Sequence, residues 1–392
     1  MRRTDRLLHS TRMVLPEGPV REGWVRLRGE LIAEVGEGRP PEETARTAAA
    51  GAAGEVTAQV EHLGERVLAP GFVDLHVHGG GGGTFTDGAE AARAAIAAHR
   101  AHGATTLLAS LVTDAIEALE DQIRSLVPLV EQGELAGIHL EGPWLAASRC
   151  GAHSPQLLAD PSVEDVDRLL AAGAGAIRMV TLAPERDGAL GAIRLLHERG
   201  IIAAIGHTEA EEAVVVRALE AGASVGTHLF NAMPSIHHRA PGPIPRLLTD
   251  PRATVELIAD GVHLEASVLR MAATASQGRW TLITDAMAAA GRPDGSYRLG
   301  PLAVEVLDGV ARIRDTGAIA GSTLTLDRAV RFAVEQAGLE PAEAIRAASQ
   351  TPAQLLGRSD IGRIAVGARA DLVVLSADLR VERVIRGGVE AV

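Results

Sequence analysis

Cysteine is nearly absent. Cys150 stands alone, so no intrachain disulfide can form, and both a disulfide scaffold and a Cys-rich zinc module are excluded. No uncharged apolar run reaches 18 residues, so no membrane-spanning helix is expected. The first residues, Met1-Arg2-Arg3-Thr4-Asp5-Arg6, are charged and no apolar h-region follows them, which predicts a soluble, cytoplasmic chain. Positive charge is in deficit: 38 basic against 50 acidic residues leave −12, which argues against a nucleic-acid or anionic-membrane partner. A small anionic substrate held by a few local groups remains compatible with that balance. Lysine is missing altogether, so every basic residue is arginine.

What is present is globular. Apolar residues make up 46% and charged residues 22% of 392, enough to build a core. At about 150 residues per domain the length suits two or three domains, or a large barrel with a small companion. Both ends read as strands: Arg12–Leu15, Gly23–Leu27 and Leu31–Val35 near the start, Ala370–Leu375 and Val381–Ile385 near the finish. From Gly36 to Gly64 the chain is Ala/Glu/Thr/Gly-rich without periodicity and is expected to be a surface loop. Between the ends, eight short apolar runs alternate with helical stretches. The runs are Phe72–His76, Thr105–Leu108, Ala136–Leu140, Ile177–Leu182, Ile201–Ile205, Ala223–Gly226, Thr254–Ile258 and Thr281–Ile283. Alternation of this kind implies a parallel sheet, and eight units over some 220 residues predict a TIM-like (β/α)8 barrel. An open doubly wound sheet is the competitor, weakened by the lack of a G-x-G-x-x-G turn or Walker loop. The expected division is a catalytic barrel at 69–357 and a small β-sandwich from 1–68 and 358–392.

In a barrel, reactive side chains sit where strands end. Six of the eight runs end in or are followed by His, Glu or Asp: His76-Val77-His78, Glu141-Gly142-Pro143, Gly206-His207, Thr227-His228, Asp260-Gly261-Val262-His263 and Thr284-Asp285. Each piece is weak alone, since fourteen histidines give about 0.5 His-x-His pairs by chance. A lone His207 or His228 would read as a satisfied core histidine. Position gives them sense: residues i and i+2 of a strand share a face, and imidazoles with carboxylates are the usual ligands of Zn²⁺ and similar ions. A carboxylate such as Glu141 in an apolar strand costs several kcal/mol unless something neutralises it. Barrel hydrolases often bridge two ions with a carbamylated lysine; without lysine, Glu141 is the candidate bridge.

These stretches, with Ala69–Gly79, His139–Trp144, Gly151–Pro155, Thr227–Pro234 and Ala320-Gly321-Ser322, resemble the amidohydrolase superfamily and, within it, the N-acetylglucosamine-6-phosphate deacetylases. The similarity runs from about residue 7 to 388. It implies a metal site at Glu141, His207 and His228. Retention of His76 and His78 allows a second ion, with Asp285 near the first. One or two divalent ions are expected: Zn²⁺, with Fe²⁺, Mn²⁺ or Co²⁺ compatible with mixed N/O ligation. Asp285 would take a proton from water whose pKa the ion lowers from about 15.7 to about 7, and would return it to the amine leaving group. His153 would help hold the oxyanion. The resemblance further implies backbone phosphate contacts at Asn231 and Ala232, a contact from His263, and a sugar pocket of Ala152, Asp260–His263, Ile319, Ala320 and Gly321. Arg239 matches an arginine that reaches into the neighbouring subunit of a homodimer. The expected activity is hydrolysis of the acetamide of N-acetylglucosamine 6-phosphate, with the galactosamine epimer as alternative substrate. An N-acyl-amino-acid deacylase and a barrel without catalysis are the competing readings; the phosphate set opposes the first and the intact ligand positions the second.

Overall fold

The computed structural model describes residues 5–42 and 60–391. The expected loop from Gly36 to Gly64 therefore lies in part, at 43–59, outside the described residues.

All eight apolar runs are strands: β1 (Phe72–Val77), β2 (Ala104–Val112), β3 (Gly137–Glu141), β4 (Ile177–Leu182), β5 (Ile202–Ile205), β6 (Ala223–Gly226), β7 (Thr254–Ile258) and β8 (Trp280–Ile283). They form one sheet in sequence order, and the ladders between successive strands from β2 to β8 are all parallel. The ends of that sheet approach each other: the Asp285 N–H donates to the His76 carbonyl at 2.8 Å and Val77 bridges Ala286 in parallel, leaving a near-closed barrel. Parallel strands are covered on both faces and so read as continuous apolar runs rather than alternations. Helices lie between them: α1 (Ala89–Ala101), α2 (Ile116–Glu131), α3 (Val163–Ala172), α4 (Ala189–Glu198), α5 (Glu212–Glu220), α6 (Ile244–Thr249) and α7 (Ala266–Ser276). α2 buries Leu119, Ile123, Leu126 and Leu129, one stripe at helical spacing. α3 begins at Ser162, whose hydroxyl accepts the Asp165 N–H at 3.0 Å and satisfies one of the free amides of the first turn.

The sequence reading passed over a three-stranded antiparallel sheet after β8, made of Gly295–Leu299, Leu302–Leu307 and Val310–Ile313. Its signal is legible in retrospect: Asp308-Gly309 follows an alternating run, and both residues have positive φ (50° and 74°), as a two-residue hairpin turn requires. Leu299, Val304, Val306, Ala311 and Ile313 form one apolar cluster with Met287, Ala288 and Ala289.

The chain divides into two compact units: Asp74–His99 with Leu107–Thr325, and Met1–Val73 with Arg100–Thr106 and Leu326–Val392. In the second of these, strands from both termini share a sheet. Its order is Val389–Glu390, Val381–Arg386, Leu372–Leu375, Val67–Pro70, Asp5–Met13, Arg21–Arg28, Leu31–Glu37, with Val60–His62 added beside Asp5–Met13. Leu8, Met13, Val25, Leu68, Leu372 and Ile385 belong to its core. No helix among the described residues is long and apolar enough to cross a membrane.

Candidate metal centre

Four imidazoles converge on one carboxylate at the strand ends of the barrel. Glu141 closes β3, and its two oxygens face different pairs. Oε1 lies 3.1 Å from His207 Nε2 and 2.9 Å from His228 Nε2. Oε2 lies 3.2 Å from His78 Nε2 and 3.5 Å from His76 Nε2. Within each pair the Nε2 atoms are 3.1 Å apart. Both groupings, His76-His78-Glu141 and Glu141-His207-His228, are buried and compact enough to hold an ion each, and they share Glu141. Asp285, just past β8, places Oδ1 3.1 Å from His78 Nε2 and 3.5 Å from His76 Nε2. His207, His228 and Asp285 all have positive φ (48°, 25° and 49°). Such backbone is uncommon outside glycine and clusters where a side chain must be aimed.

The hydrogen bonds behind the rings decide what the front nitrogens can do. His76 Nδ1 faces Glu256 Oε2 at 3.1 Å, His78 Nδ1 faces the Ser110 carbonyl at 3.2 Å, and His207 Nδ1 faces the Arg149 carbonyl at 2.7 Å. Each of these partners can only accept, so Nδ1 carries the proton and Nε2 of the neutral ring presents a lone pair. Lone pairs then point at each other and at a carboxylate, an arrangement that repels unless a cation occupies the centre. Backing of this kind is how metal-binding histidines are held in one tautomer. The residues present therefore fit a divalent metal centre.

His153 is turned the other way. Its Nδ1 accepts the Thr113 N–H at 3.2 Å, with the Thr113 hydroxyl at 2.9 Å, so the proton sits on Nε2. That Nε2 lies 3.3 Å from Glu141 Oε2 and offers a donor where His76, His78 and His207 offer lone pairs. Burial pushes the His153 pKa down to about 4, so the ring is neutral at neutral pH. Without an ion, the Glu141 and Asp285 carboxylates outweigh burial and raise the His76 and His78 pKa values, so protons on these rings take the place of the cation and hold the Asp285 carboxyl well below the usual range.

A cavity of about 340 Å³ opens above Glu141, within the range of small-ligand sites. His78, His153, His207, His228 and Asp285 line it, as do the expected Ala152, Asn231, Ala232, His263, Ile319 and Gly321. Asp260 and Ala320 stand behind the wall. Asp260 Oδ1 accepts the Val262 and His263 N–H groups and Oδ2 meets His263 Nδ1 at 2.7 Å; Ala320 is fully buried. Burial would lower the His263 pKa, yet the Asp260 carboxylate outweighs it and raises it. Arg239 is not brought to this cavity within one chain: it is exposed and lines a different hollow with Glu209, Glu211 and Pro234.

Sequence reasoning missed the supports. Glu256 is a buried carboxylate inside the apolar run of β7, the same signal that singled out Glu141. Asp74 stands two residues before His76 and accepts the Thr284 hydroxyl at 2.6 Å, tying β1 to the end of β8; burial pushes its carboxyl up to about 7. His139 lies within a buried chain from Ser110 through Thr181 to Thr227, all contacts 2.8–2.9 Å. Burial drives its pKa well down, which keeps it neutral.

A model of the amidohydrolase family matches residues 67–390. An N-acetylgalactosamine-6-phosphate deacetylase of Escherichia coli O157:H7 is 38% identical over 81% of this chain and 86% of its own length. The N-acetylglucosamine-6-phosphate deacetylase of Vibrio furnissii is 37% identical over 82% of each. Among solved structures, a variant of the Mycobacterium smegmatis N-acetyl-D-glucosamine-6-phosphate deacetylase, in complex with N-acetyl-D-glucosamine-6-phosphate, superposes with a TM-score of 0.93. It shares 46% identity, covering 99% of this chain and 100% of that one. With the family model and these relatives each spanning most of its length, the chain belongs to the amidohydrolase family and, within it, to the N-acetylglucosamine-6-phosphate deacetylases.

Proposed function

We propose that the protein removes the acetyl group of N-acetylglucosamine 6-phosphate by hydrolysis, giving glucosamine 6-phosphate and acetate. One observation carries this reading: a cavity whose floor combines two groupings of metal-type ligands, a carboxylate beside them and an oppositely oriented neutral histidine. A divalent ion bound there would polarise water and bring its pKa toward neutrality. The chain's own residues supply the rest. Glu141, His207 and His228 would hold one ion, and Glu141, His76 and His78 a second, with Asp285 beside the latter pair. Zn²⁺ suits these donors, as do Mn²⁺, Fe²⁺ and Co²⁺. Asp285, ionised and facing the cavity, takes the proton of the attacking water and later delivers it to the nitrogen of the departing amine. The His153 Nε2–H donates to the carbonyl oxygen as negative charge builds on it.

The phosphate is taken by the Asn231 and Ala232 backbone amides and by His263, whose raised pKa favours the cationic ring. Arg239 joins them from the second subunit of a homodimer, which accounts for its distance from the cavity within one chain. Ala152, Asp260, Ile319, Ala320 and Gly321 shape the sugar pocket. The catalytic domain is taken as 69–357 and the smaller as 1–68 with 358–392. A single cysteine suits a reducing cytoplasm. The match to the E. coli relative favours one second reading, the galactosamine epimer as substrate. Acetate release from both epimers, measured before and after chelation and after adding Zn²⁺ or Mn²⁺, tests the whole. Activity should vanish on chelation and return with metal; metal-replete protein inert toward both sugars would reject the proposal.

A further inference from the structure

Glu256 is a charge with no evident reason to be where it is. It is fully buried in β7, and only one of its two carboxylate oxygens is used. That oxygen, Oε2, accepts His76 Nδ1–H at 3.1 Å and the His228 N–H at 3.2 Å; Oε1 has no hydrogen-bond partner among the described residues. Isolating a carboxylate in this way costs several kcal/mol, so a compensating positive centre is needed nearby. The one available lies on the other side of the His76 ring, where Nε2 meets His78 and Glu141.

We propose that Glu256 is a positioning residue that makes His76 a metal ligand and thereby sets occupancy of the His76-His78-Glu141 half of the centre. It fixes the proton on Nδ1, aims Nε2 inward and, through its negative charge, strengthens that lone pair. The other half depends on it less. The turn carrying His228 is also held by the Leu229 N–H on the Glu256 backbone carbonyl at 2.8 Å, which no side-chain substitution removes. The inference rests on reading the cluster as a metal centre and does not depend on the substrate.

The test measures Zn²⁺ binding by competition with a chromophoric chelator, using stripped full-length protein. The wild type should take two ions per chain. Glu256→Gln, which keeps shape and loses charge, should weaken one ion by about 10–100-fold and leave the other within about threefold. His76→Asn should show the same one-ion pattern, and the double variant should bind no more weakly than His76→Asn, since one residue acts through the other. If Glu256→Gln does not fold by circular dichroism, Glu256→Met fills the space without a polar atom and carries the same expectation. Unchanged affinity at both positions, equal loss at both, additive loss in the double variant, or a wild type that takes only one ion overturns the inference alone. A wild type that binds no Zn²⁺ overturns the metal-centre reading and the inference with it.

Discussion

Five histidines surround Glu141, and their roles separate by which ring nitrogen is tied down from behind. His76, His78 and His207 face acceptors at Nδ1, so they act as lone-pair donors at Nε2; His153 faces the Thr113 amide and acts as a hydrogen-bond donor. The distinction is what supports the proposed role of His153 in charge stabilisation rather than metal binding. His153→Gln is expected to lower kcat by about 10²–10³-fold with bound metal unchanged. Steady-state kinetics with metal analysis of the same sample checks this, and loss of an ion in that variant would assign His153 to the ligands instead. Asp285→Asn should retain its metal and lose about 10²–10⁴-fold in kcat as the proton carrier disappears. A kcat close to that of the wild type would remove Asp285 from that step. The residues of the two proposed metal groupings were legible as candidates because each sits at the end of an apolar run. Thr113, Glu256 and Asp74 were not, because nothing in a strand sequence says which side chain will stand behind a ring contributed from another strand.

The turn after β8 is held by the segment Ala320–Ser322. The Ser322 N–H donates to the Asp285 carbonyl at 2.7 Å, its hydroxyl donates to the Thr284 carbonyl at 2.6 Å, and its carbonyl accepts the Met287 N–H at 2.9 Å. Gly321 has φ of 59°, and a Cβ there would stand 2.7 Å from the Asp285 carbonyl oxygen. Gly321→Ala should therefore shift the Asp285 turn and reduce kcat by about tenfold or more, since a displacement near 1 Å can cost about 10²-fold. Activity equal to wild type in a folded Gly321→Ala protein would show that the turn tolerates the displacement. Element existence was well marked in the barrel, where long runs of one type alternate. The hairpin at 295–313 escaped because its strands are short, half exposed and broken by Gly300-Pro301, despite the Asp308-Gly309 turn. That omission hid Leu299 and Ala318, which line the cavity beside the expected Ile319.

On the scale of the whole molecule, Arg239 poses the question of completeness. It contacts His238 at 2.7 Å and faces solvent rather than the cavity holding Asn231 and His263. If a second copy supplies it, Arg239→Ala should raise KM for the phosphorylated sugar by about tenfold or more with kcat nearly unchanged, the loss expected of a charge-assisted phosphate contact. Co-refolding that variant with Asp285→Asn should recover activity, because a mixed dimer then contains one site with both residues. Unchanged KM, or no recovery on mixing, would place Arg239 outside the site.

The proposed ligands also arrive in a fixed order along the chain. His76 and His78 leave the ribosome before Glu141, which completes the first grouping at the end of β3, whereas a nascent chain halted before β5 lacks both His207 and His228 and so the second. Asp285 follows last, after the final barrel strand. A prematurely terminated fragment ending before residue 207 therefore contains at most the His76-His78-Glu141 grouping, and the second grouping waits for the turn after β6.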